Sequence, residues 1–463
     1  MNRLARRLGT VATAALMATP ALAIPATSAS AAVPAISSQA FGMHWMTNGP
    51  YPSSMPFSVA RIWGGGAPTW AQLEPTGPTP HYTYSTDLLG NTTQTQDGWN
   101  PAVWDNTALA KLDSMVDTFR SHGVDPMITL GMTPGWAANG CNHVDSSGHD
   151  WGVETCAPVQ TAADGSDPWA AYVTFLANRY SGKVHYFELW NEPSLRNGYN
   201  DDIGRLAAMQ NQAYGILHSF GDKLVSPSIP FTNGNGGSTA PGLSWMGSFF
   251  SQSGGKSFDI TGLHLYPNDP SVKGGYGPEW SFNTALAGAK KVLAQYGVNH
   301  PIWNTEMNVG RIPAGTTVGS GATGAAVVAR TFILTTQFKI ARTMWYAADD
   351  RQWGGTWLEN SNYSLSTAGY AYRTVRNLLV GKAPLGCART TVGTNKWKYT
   401  CKFGTTKGHK TLLAVWTTGA KYVLKAPAGV KSYYTVTGAK HATAAGKKFT
   451  ITHTPVYFYG SFK

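Results

Sequence analysis

The sequence predicts an α/β protein, a (β/α)8 TIM barrel with a small C-terminal all-β domain. Three observations predict it. Short apolar runs alternate with amphipathic stretches from residue 33 to about 381, the rhythm of parallel strands joined by crossover helices. Eight such runs can be marked, the number that closes a barrel. After Gly381 the rhythm gives way to short β-rich runs separated by Gly and Lys.

The N-terminus is read apart from the fold. Arg3, Arg6 and Arg7 precede a small apolar stretch from Leu8 to Leu22, and Ala29-Ser30-Ala31 offers a cleavage site, with Ala21-Leu22-Ala23 as a second. Residues 1–32 therefore read as a signal peptide for the general secretory route. No other stretch is long and apolar enough to span a bilayer. The mature chain is expected to be secreted.

The strands expected for the barrel at 33–381 are Phe41–Trp45, Ser58–Trp63, Pro126–Gly131, Val184–Trp190, Leu224–Ser228, Ile260–Tyr266, Ile302–Glu306 and Arg342–Tyr346. Helices are expected at Asp105–His122, Ile203–Phe220, Trp280–Tyr296 and Gly324–Phe338. Asp105 suits an N-cap, and Gly123 a stop. A doubly wound open sheet is the alternative, but no Gly-rich phosphate fingerprint supports it. After the third strand runs a long loop, 133–164, holding Cys141 and Cys156.

Four cysteines allow three pairings, of which the local ones, Cys141 with Cys156 and Cys387 with Cys401, are simplest. An oxidising compartment lets both form. No spacing in the chain supports a zinc site instead. Residues 382–463 are expected to form a β-sandwich-like domain. They hold thirteen lysines, one arginine and no Asp or Glu, while the whole chain carries +12. That surface suits an acidic cell wall or polysaccharide by long-range attraction, or it is a solvated basic face. Nucleic acid lacks a recognition motif here.

Two segments carry the chemistry. Tyr186-Phe187-Glu188-Leu189-Trp190-Asn191-Glu192-Pro193 runs from a strand into a loop. Ile302-Trp303-Asn304-Thr305-Glu306-Met307 is another strand with a glutamate near its end. As strands four and seven of a barrel, they place Glu192 and Glu306 across the active face. Glycoside cleavage needs such a pair: one acid to protonate the leaving oxygen, one carboxylate to attack the anomeric carbon or to activate water. No G-x-S-x-G, Walker or H-E-x-x-H motif offers another chemistry, and no metal or cofactor is required.

The run YFELWNEP resembles the signature of glycoside hydrolase family 39, a clan A family of retaining enzymes. The likeness extends through ARIW, GLHLYP, WNTEM and MWYA over most of residues 40–380. His185 and Ser194 depart from the signature. The resemblance implies that Glu192 is the acid/base and Glu306 the nucleophile. It implies that Asn191 bonds the sugar 2-hydroxyl and that Arg61 pairs with Glu306 to keep it ionised. His264 and Tyr266 would neighbour the nucleophile, and Trp345 would form a floor under the sugar ring. From the residues themselves, His44 and Trp136 join the substrate-binding candidates. Glu188 reads as a barrel-interior polar group. Trp63, Trp280, Trp353, Asp349 and Asp350 are weaker candidates. Alternatives of another kind are a family 5-like endoglycanase and a polysaccharide-binding protein that lost turnover. The presence of both glutamates argues against the last.

Overall fold

A computed structural model describes residues 32–44, 51–86, 92–231, 239–267, 277–309, 319–349, 355–394 and 396–462. The N-terminal segment 1–31, Trp45, Asp350 and Trp353 lie outside the described residues. In chain order the barrel region holds β1 (Phe41–His44), β2 (Val59–Ile62), α1 (Trp70–Leu73), β3 (Thr79–Thr86), β4 (Thr92–Asn100), α2 (Asn106–Ser121) and β5 (Asp125–Leu130). There follow α3 (Pro168–Arg179), β6 (Tyr186–Leu189), α4 (Ile203–Ser219), β7 (Lys223–Val225), β8 (Ile229–Pro230), α5 (Ala240–Ser251) and β9 (Thr261–His264). The region closes with α6 (Pro278–Trp280), α7 (Leu286–Gln295), β10 (Ile302–Met307), α8 (Ala322–Gln337), β11 (Arg342–Tyr346) and α9 (Thr367–Leu379).

The expected barrel is present. Its parallel strands run in the order β7-β6-β5-β2-β1-β11-β10-β9-β8. Parallel bridges from Val225 to Ile260 and from Asn191 to Ser228 close the ring. The fifth strand is split into β7 and β8 around Pro227, which has no N–H to give a ladder. The helices start where capping chemistry allows. Asp105 accepts the Ala108 N–H at 2.8 Å, and Asp202 accepts that of Arg205 at 3.1 Å.

Alternation along the strands divides the core. Val59, Met127, Val225, Ile260, Trp303 and Met344 form one apolar cluster inside the barrel. Phe41, Phe187, Leu263 and Trp345 belong to the larger cluster shared with the helices. Two residues beyond the interior cluster, on the same side of their strands, stand Arg61 on β2, Thr129 on β5 and Glu188 on β6.

The C-terminal region contains β12 (Ala383–Gly393), β13 (Lys396–Gly404), β14 (Lys410–Thr417), β15 (Tyr422–Lys425), β16 (Val430–Tyr434), β17 (Lys440–Ala442), β18 (Lys448–Ile451) and β19 (Val456–Phe462). Six strands form a sheet in the order β12-β13-β14-β19-β16-β17, and β15 pairs with β18 alone. One face of the large sheet, with Tyr399, Leu412, Trp416 and Tyr457, joins the barrel's own core. Trp416 Nε1 donates to Glu279 at 2.8 Å, and Glu279 pairs with Arg330 at 3.1 Å. The opposite face packs Leu413, Val415 and Phe458 with Ile451 of the small sheet. Residues 33–463 thus form one compact unit. The two local cysteine pairs are joined, Cys141 to Cys156 and Cys387 to Cys401. No helix among the described residues is long and apolar enough to cross a membrane.

Candidate active site

The C-terminal ends of β2, β6, β9 and β10 bring Arg61, Asn191, Glu192, His264, Tyr266 and Glu306 together. Glu306 reaches the interior through an irregularity. Trp303 points inward, so regular alternation would send Glu306 outward. Between Asn304 and Glu306 the register with β9 shifts by one residue, with Asn304 opposite Leu263 and Glu306 opposite His264. The extra residue, Thr305, is a bulge, and it turns the Glu306 side chain into the barrel.

Arg61 is the hub and is fully buried. Its Nη1 donates to Glu306 Oε2 at 2.7 Å, its Nη2 to Asn191 Oδ1 at 2.8 Å, and its Nε to Glu188 Oε2 at 2.8 Å. Thr129 Oγ1 also donates to Glu188 Oε2, at 2.8 Å. Gly262 makes room for this carboxylate: a Cβ there would lie 3.4 Å from Glu188 Oε1 and 2.8 Å from the Ser226 carbonyl oxygen. The second oxygen of Glu306 accepts the Tyr266 hydroxyl at 2.6 Å. Burial raises the Glu306 carboxyl above the ordinary carboxylate value, while the charges of His264 and Arg61 and the Tyr266 hydroxyl pull against it. Burial and the two glutamates hold the Tyr266 phenol well above its ordinary value, so it stays a donor.

Glu192 stands across from this pair. His264 Nδ1 lies 2.7 Å from Glu192 Oε1 and 3.9 Å from Glu306 Oε1. Burial pushes the His264 imidazole down to about 4, so the ring is neutral at neutral pH. Its Nε2 has no partner among the described residues. An unpaired acceptor costs less than an unpaired N–H, which places the proton on Nδ1, donated to Glu192. One oxygen of Glu192, one of Glu306 and one His264 nitrogen all lie within 4.8 Å of one another. They could offer three ligand atoms to a cation, but the Arg61 guanidinium already sits 2.7 Å from Glu306 and repels a second positive charge. The backbone is unusual here: Trp190 and Glu192 adopt φ of 57° and 46°, left-handed values that cluster at functional sites.

Arg61 pairs with Glu306 and His264 neighbours both glutamates. The structure corrects direct contact with substrate: Arg61, His264 and His44 are sealed from solvent, so they act on the carboxylates rather than touch a sugar. His44 bonds the Trp63 carbonyl through Nε2 and faces Arg61 through Nδ1 at 3.5 Å; burial and the Arg61 charge hold it well below its ordinary value. Trp345 is not a floor. It is fully buried, against Phe332 at 6.4 Å, with Nε1 donating to the Thr356 carbonyl at 3.0 Å. Arg342, Met344 and Tyr346 share the inward side of β11, and Trp345 takes the other. The ring that faces inward at that position is Tyr346, half-buried and edge-on to His44 at 4.6 Å. Trp136 is half-buried; its Nε1 donates to the Glu74 carbonyl at 2.9 Å and its ring covers Gly77. Trp280 is buried.

Residues 155–372 match the family model described as glycosyl hydrolase catalytic core. No curated protein matches the chain. Solved structures share the fold. A family 39 glycoside hydrolase from Bacteroides cellulosilyticus WH2 is 18% identical over 92% of this chain and 83% of its own, with TM-score 0.58. An α-L-arabinofuranosidase from Thermotoga maritima is 11% identical over 93% and 98%, with TM-score 0.56. A family 44 xyloglucanase from Paenibacillus polymyxa is 11% identical over 94% and 98%, with TM-score 0.51. The resemblance to clan A glycoside hydrolases drawn from the sequence is therefore met by the matched core and by the fold.

Proposed function

We propose that the chain, which carries a glycosyl hydrolase catalytic core, is an exported, retaining glycosidase that uses Glu306 as nucleophile and Glu192 as acid/base. The observation that carries this is the spacing: carboxylate oxygens of the two residues lie within 4.8 Å of each other. Retaining enzymes hold the two groups ~5–5.5 Å apart, while inverting ones need ~6.5–9.5 Å to admit water.

In the first step Glu306 attacks the anomeric carbon as the bond to the leaving oxygen breaks. Glu192, in its acid form, gives that oxygen a proton. The product is a glycosyl ester on Glu306 and a carboxylate on Glu192. In the second step Glu192 takes a proton from water, the water oxygen attacks the anomeric carbon, and Glu306 leaves as carboxylate. Arg61 and Tyr266 hold both oxygens of the nucleophile before attack. Asn191 gives its carbonyl oxygen to Arg61, which leaves its NH2 group to donate to the sugar 2-hydroxyl. The substrate class that suits a barrel of low charge is a neutral glycan.

Export rests on the N-terminal Arg-rich and apolar segment together with two cysteine pairs. The basic region adds a surface for an acidic wall polymer: on the small sheet Lys425 lies directly opposite Lys448, both exposed, in a segment without carboxylates.

The test is a panel of plant, fungal and bacterial polysaccharides and aryl glycosides, given to wild type, Glu192→Ala and Glu306→Ala. NMR of the first product formed reads its anomeric configuration. Retained configuration from wild type, with both variants inactive, is expected. Inverted configuration, or unchanged turnover by either variant, defeats the two-glutamate reading. Polymer binding without any release of sugar would favour the binding-protein reading. Sequencing the N-terminus of protein collected from the medium tests export.

A further inference from the structure

The chain between β2 and α2 leaves the barrel as an antiparallel hairpin of β3 and β4. It emerges from the strand end that carries Arg61, hence from the catalytic end of the barrel. Its root is fixed. Val103 N–H donates to the Thr76 carbonyl at 2.8 Å. The Trp136 ring covers Gly77, where a Cβ would lie 2.6 Å from it.

Register assigns the two faces of this arm. Tyr82 pairs with Gln96, Tyr84 with Gln94, and Pro80 with Trp99. Directly opposed residues share a face, and so do residues two apart. One face therefore carries Tyr82, Tyr84, Gln94 and Gln96, with Trp99 at its root and no charge among the described residues. Thr83, Ser85, Thr93 and Thr95 take the other. Tyr82 is 39% exposed and Tyr84 66%. The two rings are spaced about 7 Å along the strand. A two-stranded arm with no buried face gains little for folding, so fold stability does not account for these rings.

We propose that the Tyr82–Tyr84–Gln94–Gln96 face is a platform for an uncharged polysaccharide chain running out from the catalytic pair. The proposal rests on the glycosidase reading and narrows its substrate to a polymer. The chemistry is complementary. Flat aromatic faces cover the C–H surfaces of sugar rings, and side-chain amides exchange hydrogen bonds with hydroxyls. Absence of cations on this face disfavours an acidic polymer or nucleic acid. The hairpin emerges at the same end of the barrel as the strand ends where cleavage occurs.

The experiment is affinity electrophoresis of the full chain in acid-native gels containing xyloglucan, arabinoxylan, hydroxyethyl cellulose, galactomannan or laminarin. Glu306→Gln is the parent, so that turnover does not alter the gel. Tyr82→Ala/Tyr84→Ala should bind the retarding polymer at least about tenfold more weakly. Tyr82→Phe/Tyr84→Phe should bind much as the parent does. With Glu306 restored, the alanine pair should raise KM for the polymer and leave hydrolysis of an aryl glycoside unchanged. Equal retardation of the alanine pair and the parent overturns the proposal. So does absence of retardation by all five polymers. A fall in sedimenting mass on alanine substitution would assign the face to a second copy of the chain instead. The two readings fail separately. Cleavage with unaltered polymer binding sinks the platform alone. Tyrosine-dependent binding without any cleavage by the wild-type chain sinks the hydrolase alone.

Discussion

Arg61→Met tests the buried ion network most directly. Arg61 holds Glu188 at 2.6 Å and Glu306 at 2.7 Å, with the Arg61 and Glu188 side chains wholly out of solvent. Its removal leaves Glu188 as a buried carboxylate whose remaining donor is the Thr129 hydroxyl, and Glu306 loses the guanidinium 2.7 Å away. Breaking a buried pair from one side costs about 3–5 kcal/mol. Arg61→Met/Glu188→Gln removes one of the stranded charges while keeping an acceptor for Thr129. It should recover at least about 1.5 kcal/mol of that loss, a coupling expected for residues in direct contact. Urea unfolding of wild type, both single variants and the double variant at pH 7 gives the cycle. The acidic limb of kcat/KM adds a second readout. Without the cation, ionised Glu306 is less favoured, so the limb should move to higher pH in Arg61→Met. A loss under about 1 kcal/mol, or losses that simply add, would refute the idea that this pair sustains the site.

Tyr266→Phe removes the donor 2.6 Å from Glu306; a bond to a charged group is worth about 1.5–3 kcal/mol, so kcat should fall roughly tenfold to a hundredfold, with the acidic limb raised. Burial lifts the Glu74 carboxyl from 4.5 to about 7. The folded chain thus holds a proton that the unfolded chain releases, and stability falls by roughly 3 kcal/mol as pH rises through that window. Glu74→Gln, which keeps an acceptor for Trp70 Nε1, should flatten the urea-unfolding stability between pH 5 and 8; an unchanged slope would count against the burial effect. Lys448→Glu replaces a like-charge cross-strand pair by an opposite one, so stability at low salt should rise by about 0.5–1 kcal/mol and retention on immobilised polygalacturonate should fall. Unchanged retention would place any anion binding elsewhere on the basic region.

The barrel was legible because several strands are short, largely apolar runs buried on both sides, such as Pro126–Leu130 within β5. The glutamates were legible because each stands near the end of such a run. Side-chain direction was harder to read. Trp345 and Tyr346 are adjacent aromatics at a strand end, and only the inward placement of Met344 tells them apart. Glu306 points inward only because of the bulge at Thr305, which no local residue announces. The β3–β4 hairpin was missed because its strands bury nothing. Its signal was present in Tyr82 and Tyr84 at period two, followed by Thr-rich sequence with β propensity. The small C-terminal all-β region was legible from its charge step and its short β-rich runs. What composition does not report is the pairing of surfaces by which its alternate residues, Leu412, Ala414 and Trp416, join the barrel's core.

The position of Glu188 follows from the charge movement of the proposed reaction. Before attack, Arg61 is balanced by ionised Glu306. In the glycosyl ester, Glu306 is neutral and the negative charge has passed to Glu192. A buried guanidinium facing only Glu306 would then be stranded, at a cost of several kcal/mol that would raise the barrier to forming the ester. Glu188, 2.6 Å from Arg61 and fully buried, carries its charge through both steps. Arg61 therefore keeps one carboxylate counter-ion while Glu306 changes charge beside it. Arg61 can then orient Glu306 and Asn191 throughout without tying its own stability to the state of the nucleophile.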